Sequence, residues 1–512
     1  MKKTSFIAGT LLLASINFIV RFIGFIYKIL LSRLIGPQAI GLYQMIIPFL
    51  MVLIVLPTAG IPIAVSKLVA RENSLKNTIG VYKLLTISLL LGGTIALCLS
   101  VFVSLQLDYI VNNLLKNQLL YYPLLWGIPA LAVITFSSIL RGFFYGLKDI
   151  RPAAAAQILE QLARVFFVLF FLYYKKPSHP VTAVTIAIIG IVIGEAVGLF
   201  YLVIRLNLKK ISSINLVSSS NVSYSNYLKQ ISSISVPITI SKFISVSMQT
   251  INAIIIPHRL ILAGFSPIIA TEIYGKVFGM AMPMLFLPFT VTSALVLNLI
   301  PNISEHMATN NHANIADKSS LAIKITLLVA IPITMIYIVF GNTIGYIVFR
   351  QSDVGNYLSI IGVATLFLCI QHTFSGILHG IGKQVSVSIN YVIGMSTQLY
   401  FTYFLVSNPA YGINGFFVGF IASSFVILTL HSIIIFRTIK IKLPFVTSIL
   451  KPTISSIVML VGIYLFNQYA SQFIPNTFIL AALSAVCAAL IYCLMLVITN
   501  VLNIKQIIRS LK

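Results

Sequence analysis

Apolar stretches of about 20 residues or more recur along the entire chain, separated by short connections containing Gly, Pro, Asn or Lys. Fourteen can be drawn: 6–31, 38–66, 82–105, 120–143, 152–174, 181–204, 229–256, 268–299, 321–348, 356–379, 385–406, 412–436, 446–467 and 477–500. Each is long enough to cross a bilayer as a helix, and none shows the strict alternation of a barrel strand. The pattern therefore predicts an all-α polytopic membrane protein with about 14 transmembrane helices.

Polar residues inside the apolar stretches are the more telling part of the pattern. Asn17, Arg21, Gly24 and Lys28 recur at i, i+4, i+7 and i+11 in the first stretch, so they share one face of a helix. A cation near mid-membrane costs roughly 2.5–3.5 kcal/mol on insertion scales, so such a stripe needs a wet cavity or an anion to face. Glu160 and Arg164 stand at i, i+4 in the fifth stretch, Glu195 in the sixth and Lys242 in the seventh. Glu272 and Lys276 stand at i, i+4 in the eighth, and Lys67 lies near the inner end of the second. The two i, i+4 pairs read equally well as self-neutralising structural pairs, and Lys28 and Lys67 as snorkelling side chains. Arg21 and Lys242 have no carboxylate on their own helices, which favours a cavity that concentrates anions. An arginine binds phosphate in two-pronged fashion and lysines act as mobile point charges, so several spaced cations suit a diphosphate better than a monocarboxylate.

Composition agrees. Of 512 residues 59% are hydrophobic and 8% charged, against about 25% charged in an ordinary soluble domain. The net charge of +25 is scattered through short connections rather than gathered in one polar domain, which argues against a nucleic-acid partner. It reads instead as membrane orientation. With the N-terminus inside, the connections on that side hold 22 basic residues, and the other side holds six: Arg33, Lys116, Lys175, Lys176, Arg259 and Arg350. Both termini are expected in the cytoplasm of a multi-pass cell-membrane protein. Met1-Lys2-Lys3 and the following apolar run read as a retained first helix, because the run is long and holds Arg21.

An internal repeat divides the chain. Thr135-Phe-Ser-Ser-Ile-Leu-Arg-Gly142 and Thr373-Phe-Ser-Gly-Ile-Leu-His-Gly380 agree at six of eight positions with an offset of 238. Tyr43, Leu56 and Pro57 match Tyr274, Leu287 and Pro288 at an offset of 231. One loop insertion explains the difference, and helix n maps onto helix n+6. The expected organisation is an N-terminal lobe over 1–206, a cytoplasmic linker over 207–228, a C-terminal lobe over 229–436, and two added helices with a tail over 437–512. Parallel repeats of this kind are a transporter architecture with the substrate site at the repeat interface. Pro57 and Pro288, at equivalent places, are candidate hinges.

Other chemistry is sparse. Cys98, Cys369, Cys487 and Cys493 all lie in apolar stretches without metal-ligand spacing, and read as small apolar residues. His306 and His312 fall in a polar stretch, Asn302–Ser320, that reads as a solvated inner loop. His372, Ser375 and His379 share a face of the tenth stretch, a proton relay or, more simply, cavity lining. No nucleotide-binding loop, zinc motif or catalytic constellation occurs, so no enzyme activity, cofactor or metal is expected.

Three segments carry a family resemblance: Arg21-Phe-Ile-Gly-Phe-Ile-Tyr-Lys28, Leu34-Ile-Gly-Pro-Gln-Ala-Ile-Gly-Leu-Tyr-Gln44, and Pro57-Thr-Ala-Gly-Ile-Pro62 with Ser66-Lys67. With Ser375-Gly-Ile-Leu-His-Gly-Ile-Gly-Lys383, they resemble the stage V sporulation protein B group, in the polysaccharide-export branch of the multidrug/oligosaccharidyl-lipid/polysaccharide (MOP) superfamily. The resemblance implies a MATE/MurJ-like fold and an alternating-access flippase for undecaprenyl-diphosphate-linked saccharides, here a lipid II-type precursor for spore cortex. It implies a lipid-linked saccharide and the lipid bilayer as partners, with peptidoglycan-synthesis proteins as candidates. Arg21 matches a first-helix cavity cation of MurJ, and Lys276 the place of an eighth-helix arginine. The next first-helix cation, Lys28, stands one position later than in MurJ, and the acidic residue early in MurJ's second helix is absent from Gly36–Gln44. The substrate-binding set is thus Arg21, Lys28, Arg164, Lys242 and Lys276, with Asn17, Glu160, Glu195, Glu272, Pro57 and Pro288 as cavity or gating candidates. A multidrug or cation antiporter of the same superfamily, which would want unpaired carboxylates, and a non-transporting membrane assembly factor are the alternatives.

Overall fold

The computed structural model describes residues 3–212, 223–439, 441 and 443–501, with side chains described from residue 19 onward except at 209–212. All regular structure among the described residues is helical. Among the described residues, eleven helices are long and apolar enough to cross a membrane, or twelve if the pair Ser352–Ile361 and Ala364–Gly380, bent by 52°, is one span. Two features separate this number from the fourteen stretches of the sequence. The first two stretches form one helical path, Lys3–Thr58 continued by Ile61–Ser74. Gln384–Leu405 is helical over 22 residues but is diluted by Asn390, Gln398 and several Ser and Thr.

The long first path is broken where its sequence dictates. Gly36 adopts φ 79°, a conformation open to glycine, and Pro37 restarts the helix, its ring fixing φ and its missing N–H wasted on no bond. A second interruption follows Pro57, between Thr58 and Ile61. The equivalent Pro288 also stands at an interruption, between Met282–Leu285 and Phe289–Ala308. The sequence-predicted inner loop at Asn302–Ser320 is a correction: helix Phe289–Ala308 runs into it and helix His312–Phe349 begins in it, so only 309–311 are non-helical. Asn311 caps the second helix, its side-chain oxygen accepting from Asn314 N–H at 3.2 Å. The centre of the expected linker, 213–222, and the end of the C-terminal tail lie outside the described residues.

Two compact units divide the chain by packing, a criterion different from the repeat. The first comprises Met1–Ile261 with Phe265–Gly275, and the second Leu262–Gly264 with Lys276–Lys512. The core of the first joins Val65, Leu68, Leu84, Phe143, Phe144, Tyr227 and Ile231. That of the second joins Ile303, Ile323, Ile377, Leu378 and Ile435. Helices Lys451–Ala470 and Thr477–Ile498 add a smaller cluster of Met459, Ile463, Ala488, Tyr492 and Leu496, and the Tyr492 hydroxyl donates to Leu328 O at 2.8 Å.

Large apolar side chains such as Phe102, Leu105, Phe166, Leu490 and Leu494 point outward. That is stable where the solvent is lipid and every backbone group is satisfied within a helix. Stacked Phe166, Phe170 and Tyr174, with exposed Tyr173, mark the end of Ile150–Lys175 as an aromatic girdle beside Lys175 and Lys176.

The repeat is visible in packing as well as in letters. A Cβ on Gly142 would lie 2.5 Å from Pro62 O, on the helix that follows the Pro57 interruption. A Cβ on the equivalent Gly380 would lie 2.8 Å from Ile303 Cβ, on the helix that follows the Pro288 interruption. The two threonines that open the motif, Thr135 and Thr373, are both wholly buried. In each unit, the same glycine lets the same pair of helices approach.

Candidate functional site

The sequence places Glu160 and Arg164 one turn apart, and the structure gathers two further residues around them. Glu160 accepts from Arg164 Nη2 at 2.7 Å and from Arg141 Nη2 at 2.7 Å. Glu195 lies 3.3 Å from Arg141 and 3.7 Å from Arg164. Three helices of the first unit, Pro129–Gly146, Ile150–Lys175 and Pro180–Ser212, are pinned together by two arginines and two carboxylates. Both carboxylates are buried. Small residues permit this: a Cβ on Gly194 would come within 2.8 Å of Glu160 O, so a larger residue there would hold the helices apart.

Arg141, which sequence reasoning put in a cytoplasmic connection and left out of the site, stands on Pro129–Gly146 and reaches both carboxylates. The available signal was its place in the duplicated motif, where the second copy has His379. Arg164, placed by the sequence among the substrate-binding cations, is balanced here by Glu160 and Glu195, and Glu195 is not the lone carboxylate that its helix suggests.

Arg21 is exposed and Lys28 half-buried on the first helix. Between them, Gly24 backs onto Ile150–Lys175, where a Cβ would lie 3.5 Å from Gln161 Nε2. Asn17, the other member of this stripe, lies outside the residues whose side chains are described. Lys242 is exposed on Tyr224–Leu262, and Lys67 on Ile61–Ser74. Among the described residues, Arg21, Lys28, Lys67 and Lys242 make no ion pair, and none of them bonds to another.

Lys276 departs from its i, i+4 partner. It stands in a π-helical turn, Gly275–Ala281, whose hydrogen bonds run to i+5 and so shift the register relative to Glu272. Its Nζ donates to Asp353 at 2.6 Å, across to the start of Ser352–Ile361. Asp353 was not picked from the sequence, and no spacing rule would link it to a residue 77 positions away. Glu272 is half-buried and makes no ion pair among the described residues.

His372 Nδ1 lies 3.0 Å from the Thr292 hydroxyl, and its ring sits 5.0 Å from that of Phe289. His431, buried, pairs with Asn390 at 3.0 Å. Among the described residues no group of three or more His, Cys, Asp or Glu could hold a metal ion.

A model of the family described as polysaccharide biosynthesis protein matches residues 6–307. Stage V sporulation protein B of Bacillus subtilis (strain 168) is 27% identical over 446 residues, covering 86% of each chain. Lipid II flippase MurJ of the same organism is 26% identical over 420 residues, covering 78% of this chain and 76% of that one. Among solved structures, a lipid II flippase MurJ in an inward closed conformation aligns with a TM-score of 0.70 at 17% identity, over 96% of this chain and 98% of that one. An inward-facing MATE family transporter of the MOP superfamily aligns with a TM-score of 0.69 at 17% identity, over 82% and 94%. At that identity the structural likeness shows the fold, which is MATE/MurJ-like. With a family model matching more than half of its length, the chain belongs to the polysaccharide biosynthesis protein family.

Proposed function

We propose that this multi-span membrane transporter is an alternating-access flippase for an undecaprenyl-diphosphate-linked saccharide, a lipid II-type peptidoglycan precursor for spore cortex. The observation that carries the reading is the set of intramembrane cations without a carboxylate, Arg21, Lys28 and Lys242. A positive charge held within a bilayer is stable when its ligand brings the counter-charge, and a diphosphate brings it in a form that arginine and lysine both bind. Lys276 adds a fourth cation, already neutralised by Asp353 and so poised to exchange one anion for another. The prenyl tail stays in lipid. The Pro57 and Pro288 interruptions are the hinges of rocking, and both termini face the cytoplasm. Relatives named for sporulation and for lipid II support this choice of substrate.

The antiporter alternative would draw on carboxylates free to bind a cation. Glu160 and Glu195 are each shared by two arginines, which leaves Glu272 as the carboxylate it could use. The test is reconstituted flipping of a labelled lipid-diphosphate sugar, run beside export of a cationic dye. Arg21→Ala is expected to abolish flipping while leaving membrane insertion intact. Full flipping activity in Arg21→Ala, or dye export without flipping, would overturn the reading.

A further inference from the structure

The first unit holds a cavity of about 510 Å³ that does not coincide with the first-helix stripe. It lies between Ile61–Ser74, Pro129–Gly146 and the start of Ile150–Lys175, and is lined by Thr58, Ser66, Lys67, Arg141, Tyr145 and Gln157. Arg71, in the last turn of Ile61–Ser74, pairs with Glu72 at 2.7 Å, and Lys76, Lys148 and Arg151 stand with Asp149 in and beside the adjoining connections, on the side proposed as cation-rich. Its volume is within the range of pockets that take a small ligand, about 300–1,000 Å³.

The charges in and around it do not cancel. Arg141 and Arg164 are matched by Glu160 and Glu195, so the buried cluster is neutral as a whole. Lys67 on the cavity wall has no such partner among the described residues. The cluster also fixes Arg141. One nitrogen, Nη2, is held by both carboxylates, while Nε is buried without a hydrogen bond. Gln157 Oε1 is likewise buried without a partner. A buried donor and a buried acceptor are costly to leave unmade, and a side-chain rotation into the cavity would let a ligand satisfy them.

We propose that this cavity is a phosphate-group site, in which Lys67 supplies the free charge and Arg141, oriented by Glu160 and Glu195, supplies directed N–H donors. The Ser66 and Tyr145 hydroxyls are the neutral donors on its wall, and Gln157 Oε1 accepts from a ligand hydroxyl. Its place on the cation-rich side makes it a loading site, where a lipid-linked diphosphate is captured before the first-helix cations engage it. That role rests on the flippase reading; the phosphate chemistry does not. A free diphosphate is the same chemistry from a soluble source.

The experiment uses the full chain in lipid nanodiscs and reads acetylation of Lys67 by mass spectrometry. The probes are inorganic pyrophosphate and farnesyl diphosphate, one free and one lipid-linked. With either probe at about ten times its Kd, the Lys67 rate should fall about tenfold, because roughly a tenth of the sites stay empty. The protection should persist in Arg21→Ala, where the first-helix stripe is disabled. In equilibrium binding in that same background, Lys67→Gln should weaken the probe about tenfold and Lys67→Arg should restore it. Protection by farnesyl diphosphate alone would assign the site to lipid-linked ligands, and protection by both would admit free diphosphate. A Lys67 rate unchanged by both probes, or protection that vanishes in Arg21→Ala, overturns the proposal. Flipping that survives beside an unprotected Lys67 would remove this site and leave the transport reading standing. A protected Lys67 in a protein that flips nothing would do the reverse.

Discussion

Replacing Glu160 by Gln removes the charge on which the three-helix cluster turns. The carboxylate takes a 2.7 Å bond from each of Arg141 and Arg164, so the neutral side chain leaves both guanidinium groups to Glu195. Glu195 sits farther off, at 3.3 and 3.7 Å, and one carboxylate cannot balance two arginines. The Gln amide presents an oxygen to one arginine but turns an NH2 toward the other, where donor meets donor. Breaking a buried ion pair from one side costs about 3–5 kcal/mol, since a charge remains without compensation. All four side chains keep at most a fifth of their surface exposed, so screening discounts the figure little. Glu160→Gln should therefore lower stability by about 3 kcal/mol or more, and Glu195→Gln, with its longer contacts, by less.

The assay is unfolding of the purified protein by SDS in mixed micelles, carried through a double-mutant cycle with Arg164→Gln. Removing both partners deletes the stranded charge, so the double variant should recover part of the loss, with a coupling of about 0.5–3 kcal/mol. A Glu160→Gln effect below about 0.5 kcal/mol, or strictly additive single losses, would show that lipid headgroups or water screen the cluster and would refute the argument.

Gly142→Ala sets a Cβ 2.5 Å from Pro62 O, backbone that cannot give way, and should lower the thermal midpoint by the equivalent of about 1–3 kcal/mol. Gly380→Ala meets side-chain atoms of Ile303, which can shift, and should cost less in the same scan. Asp353→Asn leaves the folded state nearly unchanged, because the Asp353 side chain is 54% exposed, and should alter flipping rather than stability in proteoliposomes. Lys276→Ala should add no further loss of flipping to Asp353→Asn if the two act as one unit. Raising ionic strength should weaken pyrophosphate binding to the full chain, as expected of an ion-pairing site open to solution.

Much of the fold was legible because a bilayer leaves so few options. Apolar stretches of the right length must be helices, and the Thr135–Gly142 and Thr373–Gly380 motifs reported a duplication that the glycine contacts on Pro62 and Ile303 repeat. The polar stretch at Asn302–Ser320 misled because hydrophilic residues end an apolar stretch without ending a helix, and a helix leaving the membrane keeps its hydrogen bonds. Charge pairing was legible only where partners stood on one helix. Glu160–Arg164 followed from i, i+4 spacing, whereas Arg141–Glu160, Arg141–Glu195 and Lys276–Asp353 join residues 19, 54 and 77 positions apart. Spacing could not even settle the Glu272–Lys276 pair, because the π-helical turn at Gly275–Ala281 changes the register there.

These long-range pairs sharpen which cations are available to a ligand. Counting intramembrane residues from the sequence spreads the positive excess over Arg21, Lys28, Lys67, Arg164, Lys242 and Lys276 alike. In the structure the charges of Arg164 and Arg141 are balanced by Glu160 and Glu195, and that of Lys276 by Asp353. Among the described residues of that set, Arg21, Lys28, Lys67 and Lys242 are left against Glu272, all of them in the first unit. A protein that needed only to fold would gain by replacing Arg21 and Lys242 with apolar residues, since a cation resists insertion by roughly 2.5–3.5 kcal/mol at mid-membrane. Balanced clusters such as Arg141–Glu160–Arg164–Glu195 show that this chain can neutralise charge where it is buried. Under the proposed flippase reading, an imbalance of this kind suits transport of an anion, because the missing negative charge arrives with the substrate and leaves with it.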